Sequence, residues 1–402
     1  MPFIFHKDHT FTLIDNRPRH GVLCQICGPN TLSRPFQLYP APCKDFSVTI
    51  DSSNKFHILT LPNDTHLNYL CYENNHCLKK TQVVNAPDNY TLLSPSIFIL
   101  KDMLYITYIS LENASYNLVY QNIDGSLFTT LFTTPYEPCM LKSFVQDDIV
   151  YIFYIQHTDE SYLLKGFDIH QGKIKETNYV SSYTPILDYS VCIYNDEVHM
   201  TYITEVHGKY QLIYYNGTKC TATSLCTTST AYSPIIFAYL DHLWINAYIN
   251  KELCTFLSID NGLRFSMPTP SSIQGNFVRC FFHTSSENSL QAVECYAILS
   301  PSVKISTVYM IDFDHIHPDT HIPIELELYL EGVKLTNAML PSMEAEGLED
   351  SPPAPQAQPN TSPNQTSRPP TAPKHPHQDP IDSAKNAFMQ QELTGFDIAP
   401  RI

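Results

Sequence analysis

Four stretches decide the fold: Asp102-Met-Leu-Tyr-Ile-Thr-Tyr108, Asp148-Ile-Val-Tyr-Ile-Phe-Tyr154, Asp196-Glu-Val-His-Met-Thr-Tyr202 and Asp241-His-Leu-Trp-Ile-Asn-Ala-Tyr248. Each opens on a turn residue and runs on as apolar, aromatic and β-branched side chains, the composition of a half-buried strand. Weaker copies begin at His9, Asn54 and Asn288. The copies recur about every 46 residues, a period that marks a radial array of small sheets.

Within one copy the pattern resolves into four strands. In the third copy they fall at 96–100, 103–109, 117–123 and 127–132, with a polar loop at 110–116. Asp124-Gly125 separates the last two runs, and Asp-Gly between apolar runs is a strong hairpin signal because the favoured turn needs positive φ. His170-Gln-Gly172, Asn216-Gly217 and Asp260-Asn-Gly262 stand at the same point of later copies. Four antiparallel strands repeated radially describe an all-β, seven-bladed β-propeller, with six or eight blades as the alternatives, placed at residues 1–340. The first copy starts at a second strand, 10–14, and the segment 322–330 is left over after the seventh. Pairing the two predicts terminal strand closure, which removes exposed sheet edges.

Ser258-Ile-Asp260-Asn-Gly262-Leu-Arg-Phe265 resembles the Asp-box motif, Ser-x-Asp-x-Gly-x-x-aromatic, of sialidase-like propellers. The resemblance covers one full copy. It implies a side-chain-braced turn between third and fourth strands, and it brings a carbohydrate-active enzyme into consideration. Sialidases clamp their substrate carboxylate with three arginines, whereas this chain has seven in all. Arg17 and Arg19 share one loop, Arg264 lies by the Asp box, Arg34 and Arg279 lie elsewhere in the ring, and Arg368 and Arg401 are in the tail. No phosphate loop, Gly-x-Ser-x-Gly elbow or His-Glu-x-x-His helix is present.

The net charge of −16 argues against a nucleic-acid partner, since phosphate backbones call for Lys and Arg. No apolar run is long enough for a membrane-spanning helix, and the amino terminus lacks a signal-peptide pattern, so a cytoplasmic, monomeric protein without membrane insertion is expected. The 12 cysteines are scattered and read as free thiols, including the turn-flanking Cys71 with Cys77 and Cys220 with Cys226. Cys24-Gln-Ile-Cys27 has metal-ligand spacing but no second pair, and the His-rich run Asp312–His321 reads as a strand with its exit loop. No metal and no cofactor are expected. Beyond 340 the composition turns acidic and then Pro-rich, so 341–380 reads as a disordered linker, and 381–402 as a short helical or linear-motif tail offering Phe388, Leu393 and Phe396 to a partner.

Two sets of residues point to a binding face. A Tyr stands two residues before a Pro ahead of three copies, at Tyr136, Tyr183 and Tyr232, a set that would collar the mouth of the channel. The loops between second and third strands are polar and differ from copy to copy, contributing Arg17, Arg19, His157, Asp159, Glu205 and His207. The expected function is a non-catalytic binding or scaffold protein for a protein or glycan, with a sialidase-like carbohydrate-active enzyme as the alternative.

Overall fold

The computed structural model describes residues 1–7, 10–28, 33–87, 89–239, 241–270, 276–284, 290–298 and 304–306. Every regular element among them is a β-strand. Five antiparallel four-stranded sheets, blades 2 to 6, occupy residues 45–85, 90–134, 138–182, 186–228 and 231–270, and each meanders from an inner to an outer strand. The sixth sheet, blade 1, has seven strands and joins the two ends of the repeat array.

The packing follows from the two-residue period of a strand. In the second strand of blade 4, Ile149–His157, the even-numbered Val150, Ile152 and Tyr154 pack with Phe98, Tyr105 and Tyr120 of blade 3. The odd-numbered Tyr151, Phe153 and Ile155 pack with Ile186, Tyr189 and Val191 of blade 5. Both faces are covered, so the strand is apolar throughout rather than alternating. Six such clusters fill the six junctions between neighbouring sheets. The outer strands, such as His76–Asn85, have one uncovered face and edge and are mostly exposed.

Neighbouring blades are also stitched near the axis. The Ser47 hydroxyl accepts from the Ile97 amide, and Thr107 bonds Ser143 at 2.9 Å. The Lys142 ammonium donates to the Tyr189 carbonyl at 2.6 Å, Ser190 accepts from the Ile236 amide, and the Tyr296 hydroxyl donates to the Ser233 carbonyl. Phe3 meets Phe46 edge-on at 5.3 Å across the remaining junction. A ring of radially repeated sheets, each packed on the next, is a β-propeller.

The ring has six blades, not the seven expected. The reason lies in the strand Phe3–Lys7, which the repeat pattern did not show. It pairs antiparallel with Thr10–Arg17, filling the first-strand place thought empty, and parallel with Phe277–Thr284. The last repeat's strands, Phe277–Thr284, Glu294–Ile298 and Lys304–Ser306, therefore extend blade 1 instead of forming a blade of their own. Phe3, Ile4 and Phe5 are all buried, so the apolar run at the amino terminus drives this pairing. The segment 322–330, expected to close the ring, lies outside the described residues.

The connections differ from expectation as well. In blade 3 the second and third strands run to Glu112 and from Ser115, leaving a two-residue turn at Asn113 and Ala114 in place of a polar loop at 110–116. Both turn residues have positive φ (49° and 62°), the conformation that matches the strand twist in a tight hairpin. Asn195 with Asp196 and Asp147 with Asp148 repeat the pattern elsewhere. Asn and Asp tolerate this region, which explains how so many hairpins form in a chain with 12 glycines.

Candidate functional site

The face at which the second strands end carries the candidate residues, and side-chain bonds tie the blade-to-blade connections to it. Asn16 donates to the Cys43 carbonyl at 2.7 Å, and Lys44 pairs with Asp64. The Tyr136 hydroxyl donates to the Asp159 carboxylate at 2.8 Å, Thr184 bonds Thr204 at 2.6 Å, and Ser229 donates to Asn250 at 3.0 Å. Each bond joins the segment entering a blade to the hairpin end of that blade or of the one before it.

The three tyrosines occupy different environments. Tyr136 is half-buried and held by Asp159, whose carboxylate raises the phenol's pKa. Tyr183 is 91% exposed. Tyr232 stacks on Tyr248, with ring centroids 4.9 Å apart. His157 stacks on Tyr162 at 4.2 Å, and its strand ends one residue before the Thr158 hydroxyl bonds that brace the connection to Ser161. His207 is a turn residue at φ 52°, followed by Gly208, and Glu205 is half-buried at the end of the preceding strand. Arg17 and Arg19 lie in blade 1, where Arg17 pairs with Asp15 at 3.6 Å and Arg19 is exposed. The structure thus joins Tyr136 to Asp159 directly, and sets Arg17 and Arg19 in a different blade from the remaining residues. Phe388, Leu393 and Phe396 lie outside the described residues, as does the run from Asp312 to His321.

Sequence reading missed a second site on the axis. Lys142 of blade 4 donates to both Glu294 oxygens, at 2.9 and 2.8 Å. Arg279 donates from Nη1 to both Asp188 oxygens (2.9 and 2.8 Å) and from Nη2 to Glu294 and to the Tyr189 carbonyl. Ser190 adds a third donor to Glu294 at 2.8 Å. The Glu294 side chain is 0% exposed and that of Lys142 5%. Burial opposes the charge on Glu294, but Arg279 and Lys142 outweigh it and hold the carboxyl down at about 2. Burial, with Arg279 beside it, lowers the Lys142 ammonium to about 8. Two cations and two anions balance. The one signal in the sequence was a lone charge in each of several apolar runs, such as Arg279 within Phe277–Thr284.

The remaining chemistry is turn bracing and packing. The Ser258 hydroxyl donates to Asp260, and Asp260 accepts from the Arg264 amide (2.9 Å) and side chain (2.8 Å). The Gly262 amide donates to Ser258 at 2.8 Å with φ +85°, where a β-carbon would lie 2.0 Å from the Tyr214 hydroxyl. Cys24 and Cys27 belong to different core clusters, since an odd spacing along a strand points them to opposite faces. Burial raises Cys24 to about 12, away from the thiolate a metal needs. None of the twelve cysteines forms a disulfide, and no metal-binding group of His, Cys, Asp or Glu occurs among the described residues.

No protein-family model matches the sequence, and no curated protein matches it. Several solved structures are similar. The WD40 domain of SCAP from fission yeast is 9% identical, with 73% of this chain and 72% of that one covered and a TM-score of 0.39. Polysaccharide lyase Uly1 is 10% identical over 77% of this chain and 87% of that one, with a TM-score of 0.49. An oligogalacturonate lyase in complex with manganese is 9% identical over 67% and 76%, with a TM-score of 0.42.

Proposed function

We propose that this propeller is a binding or scaffold protein that presents its hairpin-end face to a protein or glycan, with the carboxy-terminal motif around Phe388, Leu393 and Phe396 as a second contact. The observation that carries this reading is Tyr183, a large aromatic held 91% exposed on a rigid β scaffold. Aromatic side chains gain most when a partner covers them, and they dominate interface energetics. The strongly perturbed charges, by contrast, lie on the axis and are committed to one another, so they support the scaffold rather than a reaction at its surface. A carbohydrate-active reading in the sialidase manner rests on the Asp-box resemblance and needs free arginines. Arg17, Arg264 and Arg279 are each paired with carboxylates.

Pull-down from a cell lysate tests the reading, using the full chain, the same chain ending at Leu340, and a Tyr136→Ala, Tyr183→Ala, Tyr232→Ala triple variant. Partners lost with the tyrosines or the tail support it. No partner on any bait, together with turnover of a glycan substrate, would overturn it.

A further inference from the structure

The inner strands of blades 3 to 6 each carry a bulge near their entry ends, with Ser94 and Ser233 at the bulge in blades 3 and 6 but Met140 and Leu187 in blades 4 and 5. Met140 is 38% exposed and Leu187 41%, and Tyr183, four residues before Leu187, is 91% exposed. Both aliphatic residues lie in bulges of adjacent inner strands. One register shift falls between Cys139 and Lys142, where Met140 has φ 54°, and the other between Ile186 and Asp188. A bulge re-aims the side chain it carries. Both are pinned from beneath by the axial cluster: the Tyr189 hydroxyl donates to the Met140 carbonyl at 2.7 Å, and Asp188, next to Leu187, is gripped by Arg279. The apolar side chains are therefore held out toward solvent by a rigid foundation.

Strand pairing links the hairpin end of blade 4 to Tyr183. His157 pairs with Tyr162, Tyr162 with Ser182, and Tyr183 follows at once, two residues ahead of Pro185. The same end of blade 4 carries the exposed Glu137, Asp159 and Glu160, with Asp159 bonded to Tyr136, and the segments 134–140, 157–162 and 182–187 contain no Lys or Arg. Lys142 is spent on Glu294.

Resting on the binding reading above, we infer that the partner at blades 4 and 5 is a basic, extended peptide segment with aliphatic or Pro residues between its cations. Tyr183 offers a face to a guanidinium or a proline ring, the three carboxylates complement positive charge, and Met140 and Leu187 match aliphatic side chains. Thioether and isobutyl groups offer little to a sugar, which stacks on aromatic rings, so the observations favour a peptide over a glycan.

Selection of a random dodecapeptide phage library on the full chain, counter-selected on its Tyr183→Ser, Leu187→Ser variant, tests this. Both side chains project into solvent, and an unchanged melting temperature checks that the variant is folded. The expected result is a set of patch-dependent clones with excess Lys or Arg. A fluorescent peptide made from one of them should lose about tenfold in affinity with Asp159→Asn, Glu160→Gln, and lose affinity with added salt. Patch-dependent clones without cationic excess overturn the inference. A glycan array bound through the patch, with no peptide selected, overturns it while the binding face stands. No patch-dependent ligand of either kind sinks both.

Discussion

The axial cluster and the tyrosine face use the same materials, aromatic rings beside charged groups, to opposite ends. On the axis Lys142, Asp188, Arg279 and Glu294 meet with their bonds turned inward, Lys142 and Glu294 almost fully buried and Asp188 and Arg279 little exposed. At the face Tyr136 and Asp159 form one bond, and Tyr183 forms none with its neighbours' charges while standing in solvent. Burial makes a charge cluster costly to break, whereas exposure makes an aromatic cheap to change and useful to a partner. The first region should govern stability and the second recognition.

Breaking the cluster should give the largest effect. Glu294→Ala leaves two buried cations short of a partner and should destabilise the fold by about 3–5 kcal/mol in urea titration at neutral pH. A loss below about 1 kcal/mol would mean that water reaches the axis. Acid tests the same idea through a different buried group. His199 is fully buried between the Tyr214 hydroxyl (2.7 Å) and the Tyr194 carbonyl (3.3 Å), and burial lowers its pKa to about 4 from 6.5. A depressed histidine contributes stability that is present above pH 6.5 and is lost as pH falls toward 4. The unfolded chain binds the proton first, for roughly 3 kcal/mol between pH 7 and 4. Denaturation at the two pH values should show that slope, and His199→Phe should flatten it. Glu294, depressed to about 2, adds a loss at lower pH still, below its unfolded value of 4.5.

Gly262→Ala should cost less, about 1–3 kcal/mol, because positive φ and the Tyr214 hydroxyl both oppose a β-carbon there. Thermal melting reads this directly. The smallest effect sharpens the contrast: Tyr183→Ala should change stability by no more than about 0.5 kcal/mol while removing partner binding. A large drop in melting temperature with that variant would move Tyr183 from the recognition side of the comparison to the structural one.

Part of the face was legible in the sequence. Tyr136 and Asp159, 23 residues apart, meet at 2.8 Å, because the segment entering blade 4 passes the hairpin end of that blade. Met140 and Leu187 were not legible. Their exposure depends on bulges, and a bulge inverts the inside-outside alternation that sequence reading assumes. The axial cluster was hidden for a different reason. Lys142 and Glu294 are 152 residues apart, and each alone resembles an isolated charge in a strand.

The repeat, the all-β class and the turns between third and fourth strands were determined by the sequence itself. They are written in two-residue alternation and in Asn, Asp and Gly at turns, both local properties of the chain. The number of blades, the parallel pairing of Phe3–Lys7 with Phe277–Thr284 and the charge balance on the axis were decided only by tertiary structure. Each depends on segments distant in sequence that become neighbours when the ring closes, and burial there fixes which charges can be kept.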